Sequence, residues 1–185
     1  NKHNIPTRII GFSATPEKIE PLTNILSKYS IYDAFLDEVI LPPKILWLKS
    51  QKEPETLHLV NILIKEIDKL PYKKIIVWSG IIEECINLAQ TWKEYFKDYL
   101  ISVDFSKQSE CSNLKMSDNF KSFDDFYKAS NKAILFCAVK HREGSDIPNV
   151  DGCIFMDKVE KRSNRVFIQC MGRVLRHDSK NKKKY

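Results

Sequence analysis

Residues 133–139 read A-I-L-F-C-A-V, and residues 140–148 follow at once as K-H-R-E-G-S-D-I-P. Seven apolar residues without alternation predict a strand covered on both faces, as in a parallel sheet packed between helices. A polar, charge-dense loop directly after such a strand stands where the loops of open parallel sheets do their chemistry, beyond the carboxyl ends. In it, Gly144 allows a close backbone approach, and Asp146 is an acceptor suited to a ribose hydroxyl. Lys140, His141 and Arg142 offer positive groups to phosphates. The same nine residues also read as a solvated turn, since G-x-D-x-P is a turn signal.

Working outward, apolar runs alternate with helical periodicity. Strands are expected at residues 8–13 (R-I-I-G-F-S), 45–48, 74–78 (K-I-I-V-W), 100–103 and 152–156. Helices are expected at 17–28, 55–70, 82–96, 120–129 and 164–176, with a short element at 32–41 closed by Pro42-Pro43 and a polar loop at 107–117. In the helix at 55–70 the apolar spacing runs through Leu59, Leu63, Ile67 and Leu70. In the helix at 82–96 it runs through Ile82, Ile86, Ala89 and Phe96. Strand alternating with helix implies an α/β domain with one parallel sheet and helices on both faces.

The remaining strand ends carry weaker signals. Ser13-Ala14-Thr15-Pro16 places two hydroxyls at a strand end, or is a plain turn. Ser79-Gly80 after 74–78 is a small turn whose free N–H groups suit a phosphate, or a simple strand-to-helix turn. Trp78 suits a base stack but also a buried strand end. The last helix is the most specific. Gln169, Arg173 and Arg176 fall at i, i+4 and i+7 and share one face, beside an apolar stripe of Val166, Cys170 and Val174. Gly172, unfavourable in mid-helix, points to a close approach there. Two guanidinium forks and an amide on one face suit a nucleotide γ-phosphate, or form an ordinary polar face.

Composition sets the outer bounds. The 185 residues are 43% hydrophobic and 29% charged with a net charge of +6, which weakly favours an anionic partner. Lys180, Lys182, Lys183 and Lys184 crowd the end as a solvated tail. Six arginines stand against 24 lysines, and five of the six lie between Arg142 and Arg176. A planar fork that stays charged is thus concentrated where phosphate chemistry is expected. Five scattered cysteines, Cys85, Cys111, Cys137, Cys153 and Cys170, form no C-x-x-C pair. They read as reduced thiols of an intracellular compartment (cytoplasm, nucleus or virion) with no metal site. No apolar run reaches the roughly 20 residues of a membrane span, so no membrane partner is expected.

Taken in order, these stations resemble superfamily 2 helicases. Ser13-Ala14-Thr15 resembles motif III, residues 75–80 motif IV, Gly144-x-Asp146-Ile147-Pro148 motif V, and Gln169-x-x-Gly172-Arg173-x-x-Arg176 motif VI. The wording around motif V is most similar to DEAD/H-like helicases of large DNA viruses. The resemblance implies a RecA-like (P-loop NTPase-like) C-terminal lobe over residues 41–185, trimmed at its far end, with residues 1–40 closing a first lobe. It implies Arg173 and Arg176 as catalytic arginines, with Arg176 the arginine finger, and Gln169 facing the carboxylates of the metal site. It further implies Gly144 and Asp146 at the ribose of ATP, and Ser79, Gly80, Lys140, His141 and Arg142 along nucleic-acid phosphates. Ser13 and Thr15 would couple the lobes. Two positions depart from the pattern. Ala138 stands where many members place a phosphate-contacting Thr, and Cys170 where DEAD-box members often have Arg.

The sequence has neither G-x-x-x-x-G-K-[ST] nor D-E-x-[DH]. The cradle for ATP and Mg²⁺ is therefore expected on an N-terminal lobe of the same polypeptide, and this stretch alone is expected to be inactive as an ATPase. DNA and RNA are both admitted as partners, because they share the backbone phosphates read here. A non-hydrolysing RecA-like module that only binds nucleic acid is the alternative. A dinucleotide-binding enzyme would need G-x-G-x-x-G after a strand, which the five glycines do not form.

Overall fold

The two most apolar runs, I-I-V-W and A-I-L-F-C, pair side by side at the centre of the sheet. In the computed structural model, β1 (Lys74–Trp78) and β3 (Ala133–Cys137) are parallel, in the register Lys74↔Ala133 through Trp78↔Cys137. Every residue of both strands is buried. β2 (Leu100–Val103) joins the far side of β3, and β4 (Gly152–Phe155) the far side of β1, both parallel. The strand order is β2-β3-β1-β4. The structure describes residues 27–42, 44–46, 56–105, 120–138, 140, 141, 146–156 and 164–175.

Strand alternation divides the core in two. Ile75 and Val77 of β1, Ile101 and Val103 of β2, and Ile134 and Phe136 of β3 face one side. There they meet Val60, Leu63 and Ile67 of α2 (Thr56–Ile67) and Cys85, Ile86, Ala89 and Trp92 of α3 (Ile82–Tyr95). Trp92 is fully buried, stacked on Phe96 and edge-on to Phe136. On the other side, Ile76, Trp78, Ala133, Leu135 and Cys137 meet Phe126 of α4 (Phe123–Lys128) and Cys170 of α5 (Asn164–Val174). Val166 and Val174 pack beside Cys170, so the apolar stripe expected in the last helix does lie on the sheet. The fold is the α/β, RecA-like parallel sheet with helices on both faces that the sequence implied.

Differences lie at the element ends and have local causes. The helix expected over 120–129 is only α4, because Ser122 caps it. Asp125 N–H donates to Ser122 Oγ (3.2 Å), and Ser122 N–H donates to Asp125 Oδ2 (3.0 Å). Phe120 and Lys121 instead run beside β2, where Lys121 N–H donates to the Ile101 carbonyl. A like capping box of Ser30 and Asp33 opens α1 (Ile31–Leu36), the short element expected over 32–41. Residues 45 and 46 of the strand expected at 45–48 are not in a strand, and the rest of it lies outside the described residues. So do the strand at 8–13, the loop at 107–117 and most of the helix at 17–28, whose last two residues, 27 and 28, are not helical. Among the described residues, no helix is long and apolar enough to cross a membrane.

At the amino edge of the sheet a charge is buried in β1. Lys74 is 0% exposed, and its Nζ donates to the Tyr127 and Ala129 carbonyls at 3.2 and 3.0 Å. This satisfies the end of α4 and places the ammonium 4.8 Å from the Phe126 ring centroid. Asp151 Oδ2 accepts from the backbone N–H of Tyr72 and Lys74. Burial pushes the Lys74 pKa down from 10.5 to about 8, against the pull of the Asp151 charge.

The sign of the resulting pH dependence is fixed. Below about 8 both folded and unfolded chains carry the charge, and folding bears its full desolvation. Between about 8 and 10.5 the unfolded chain binds more protons, so this group's contribution to stability rises with pH. Urea midpoints of the wild type, measured relative to Lys74→Met, are therefore expected to rise across that window and level off above it.

Candidate functional site

Four parallel strands place four carboxyl ends on one edge, so every loop leaving them opens on the same side. After β1, Ser79 is 1% exposed. Its N–H donates to the Cys137 carbonyl (3.1 Å), extending the ladder, and its Oγ donates to the Ile81 carbonyl (3.0 Å). Gly80 beside it is exposed. α3 starts with no side-chain cap and carries Glu83 and Glu84 in its first turn, which complement the helix's own positive end. Trp78 is a core residue, stacked on Phe155 at 5.5 Å between ring centroids.

The turn after β3 is where most side chains converge. Lys140 is exposed, while His141 is buried at 8%. Asp104, one residue beyond β2 and 4% exposed, reaches both. Its Oδ1 accepts from Lys140 Nζ at 2.7 Å, and its Oδ2 lies 2.6 Å from His141 Nε2. The Asp104 N–H continues the β2–β3 ladder by donating to the Phe136 carbonyl (2.9 Å). Phe123, the first residue of α4, stacks on the His141 ring, 4.1 Å between centroids and 15° from parallel. Trp78 Nε1 donates to the Lys140 carbonyl at 3.2 Å. Burial pushes the Asp104 carboxyl up, but the hydrogen bonds from His141 and Lys140, with the Lys140 and His141 charges, outweigh it and hold the pKa below the ordinary value.

Asp104 and Phe123 had no part in the sequence reading of the site. The one available signal was an aspartate directly after a strand end. The His141 side chain, expected among the outward cations, is turned into the interior against Phe123 and Asp104.

Farther along, Asp146 is exposed and Ile147 beside it is buried in the core under β1 and β3, so the loop re-enters the fold at that point. On α5, Gln169 and Arg173 are both half-buried, and Cys170 between them is fully buried. Gly172 is exposed, and a methyl group there would meet nothing within 4 Å. The close approach expected at Gly172 is therefore not made by any described part of this chain. Ser13, Thr15, Arg142, Gly144 and Arg176 lie outside the described residues. No group of three or more His, Cys, Asp or Glu side chains is gathered as a metal site among the described residues.

Replacing Trp78 by Phe keeps an aromatic ring against Phe155 but removes the donor to the Lys140 carbonyl and part of a fully buried ring. It is expected to lower stability by about 2 kcal/mol, from the lost bond and the partly emptied site together, as read from urea denaturation.

Neither the curated proteins nor the solved structures contain a match to this chain. Its residues 58–178 match the family model described as the helicase conserved C-terminal domain. That stretch holds all four strands, the Asp104–Lys140–His141 turn and the whole of α5. A parallel sheet of this order, with a basic turn after its central strand and an arginine-bearing helix after its edge strand, is what that match covers, and the chain belongs to the helicase C-terminal domain family.

Proposed function

We propose that this chain is the C-terminal half of an ATP-dependent helicase or translocase, contributing arginines to an ATP site and backbone contacts to nucleic acid. The family match supports the helicase part. The observation that carries the rest is that Ser79, Gly80, Lys140, Asp146 and the start of α5 all follow carboxyl ends of one parallel sheet, the edge at which such sheets bind ligands.

The residues present fit a nucleotide phosphate held mainly by another lobe. Gln169 and Arg173 stand one turn apart on a partly open helix face; α5 ends at Val174, short of the expected 176, and Arg176 lies outside the described residues. ATP with Mg²⁺ supplies the phosphoanhydride whose cleavage drives the motor. Arg173 and Arg176 would neutralise charge developing on the γ-phosphate, with Arg176 the finger. Gln169 would face the metal-binding carboxylates of an N-terminal lobe, which would also carry the phosphate-binding loop. The exposed Asp146 would accept from a ribose hydroxyl, with Gly144 allowing close approach. No described part of this chain lies within 4 Å of a methyl group built at Gly172, which leaves room for that second lobe.

For nucleic acid, the exposed Lys140 and the sequence neighbour Arg142 would meet strand phosphates, with the Ser79-Gly80 turn alongside. His141 enters this reading as the inner anchor of its turn. Ser13 and Thr15 would couple the two sites. DEAD/H-like character, of the kind found in large DNA viruses, and an intracellular, reducing setting belong to the same proposal. A module that binds nucleic acid without turnover is the second reading. Ala138 favours it, since a buried methyl replaces the hydroxyl that many family members turn to a phosphate.

In the intact protein, Arg176→Ala is expected to lower ATP turnover by about 10³-fold or more, with nucleic-acid affinity little changed. Full turnover in this variant would remove the arginine from catalysis, and no turnover in the parent with DNA or RNA would favour the binding module. Lys140→Ala combined with Arg142→Ala is expected to weaken binding across sequences and to reduce the salt slope by about 2, roughly one per lost phosphate contact. An unchanged slope in a titration against salt would take both residues off the strand path.

A further inference from the structure

The turn after β3 is restrained more than a surface turn requires. His141 has φ of 66°, a left-handed conformation that non-glycine residues seldom adopt and that persists where the surroundings over-determine it. Three elements supply the restraint. Asp104, one residue past the end of β2, takes Lys140 Nζ and His141 Nε2 on its two oxygens. α4 sets Phe123 flat on the His141 ring, and β1 sends Trp78 Nε1 to the Lys140 carbonyl.

Folding alone does not call for a carboxylate here. β2 is already tied to β3 through Val103↔Phe136 and the Asp104 N–H. Desolvating a carboxylate is costly, and a buried ion pair often contributes no more stability than an apolar residue of similar size. What the pair adds is a fixed geometry. The Lys140 side chain is 44% exposed while that of Asp104 is 6% exposed. One of the three ammonium protons is held inside, and the others remain available to an acceptor outside.

We propose that Asp104 is a positioning residue, one that fixes Lys140 and His141 so that the ammonium of Lys140 is presented to a nucleic-acid phosphate. This rests on the reading of the turn as a phosphate contact. It adds a residue from a different strand, one that touches no nucleic acid itself.

The test uses the intact protein with single-stranded DNA and RNA oligonucleotides. Asp104→Ala is expected to raise the nucleic-acid concentration for half-maximal ATP turnover at least fivefold, with kcat at saturation within twofold. Backbone hydrogen exchange across residues 138–150 is expected to quicken about tenfold, with β1 protection unchanged. In a Lys140→Ala background, Asp104→Ala is expected to add no further loss of affinity, because residues acting through one another are not additive. Should the alanine variant not fold, Asp104→Asn decides by the same readings, with at least a threefold effect. Unchanged exchange across the turn, or a loss that adds in full to that of Lys140→Ala, overturns the role of Asp104 alone. Unchanged nucleic-acid affinity in Lys140→Ala overturns the phosphate-contact reading and this role together.

Discussion

The ladder between β1 and β3 is the constraint on which the other features depend. Five consecutive positions in each strand are buried, on both faces, so neither strand can slip by one residue without exchanging the two cores. Because the strands are parallel, their register also aligns their ends. Trp78 opposite Cys137 puts Ser79 level with Ala138. β2 and β4 are added outside this pair in the same direction, so the ends of all four strands share one edge. The gathering of polar loops there is a consequence of strand direction more than of any single contact.

Charge is buried at both edges of that sheet, and the two cases differ in what they hold. At the amino edge, Lys74 closes the end of α4, and Asp151 gathers two backbone N–H groups. These groups bind architecture to itself: strand to helix, and crossover to strand. At the carboxyl edge, Asp104 binds side chains of a turn. Backbone groups meet the buried charges at the amino edge and side chains meet the carboxylate at the other, as a low-dielectric interior requires. At the carboxyl edge the Lys140 side chain remains half in solvent. In the proposed motor, that is the end of the sheet that faces a ligand.

In the proposed motor, α5 extends the same logic to a nucleotide. One stripe of the helix, Val166, Cys170 and Val174, is committed to the sheet. Rotated from it, Gln169 and Arg173 are only half-covered, and Gly172 adds no bulk. Cys170 is fully buried, so an arginine in its place would meet the core and not a ligand. In the proposed motor, the helix is a lever between a packed stripe and an open face, and it acts only when another lobe brings the phosphates to it.

Among the described residues, the sequence alone determined the four strands of the sheet and the helices α2 to α5 between and beside them, in order. Uninterrupted apolar runs marked β1 and β3 because both faces are covered, and the i, i+4 spacing marked the polar face of α5. Both are short-range patterns, written within a few residues. It did not determine where α4 begins, because Phe120 and Lys121 have helical company in sequence but a strand neighbour in space. Nor did it disclose Trp92 as the centre of one core, or Asp104 as the anchor of the turn. The partners of Asp104 lie 36 and 37 residues away, and their meeting depends on β2 crossing over to the far side of β3. His141 read as one of three outward cations in a row, and only the left-handed backbone at that position turns its ring inward. Separations of that length are closed by packing, which no local pattern records, and so the tertiary structure decided which of the legible residues stand together.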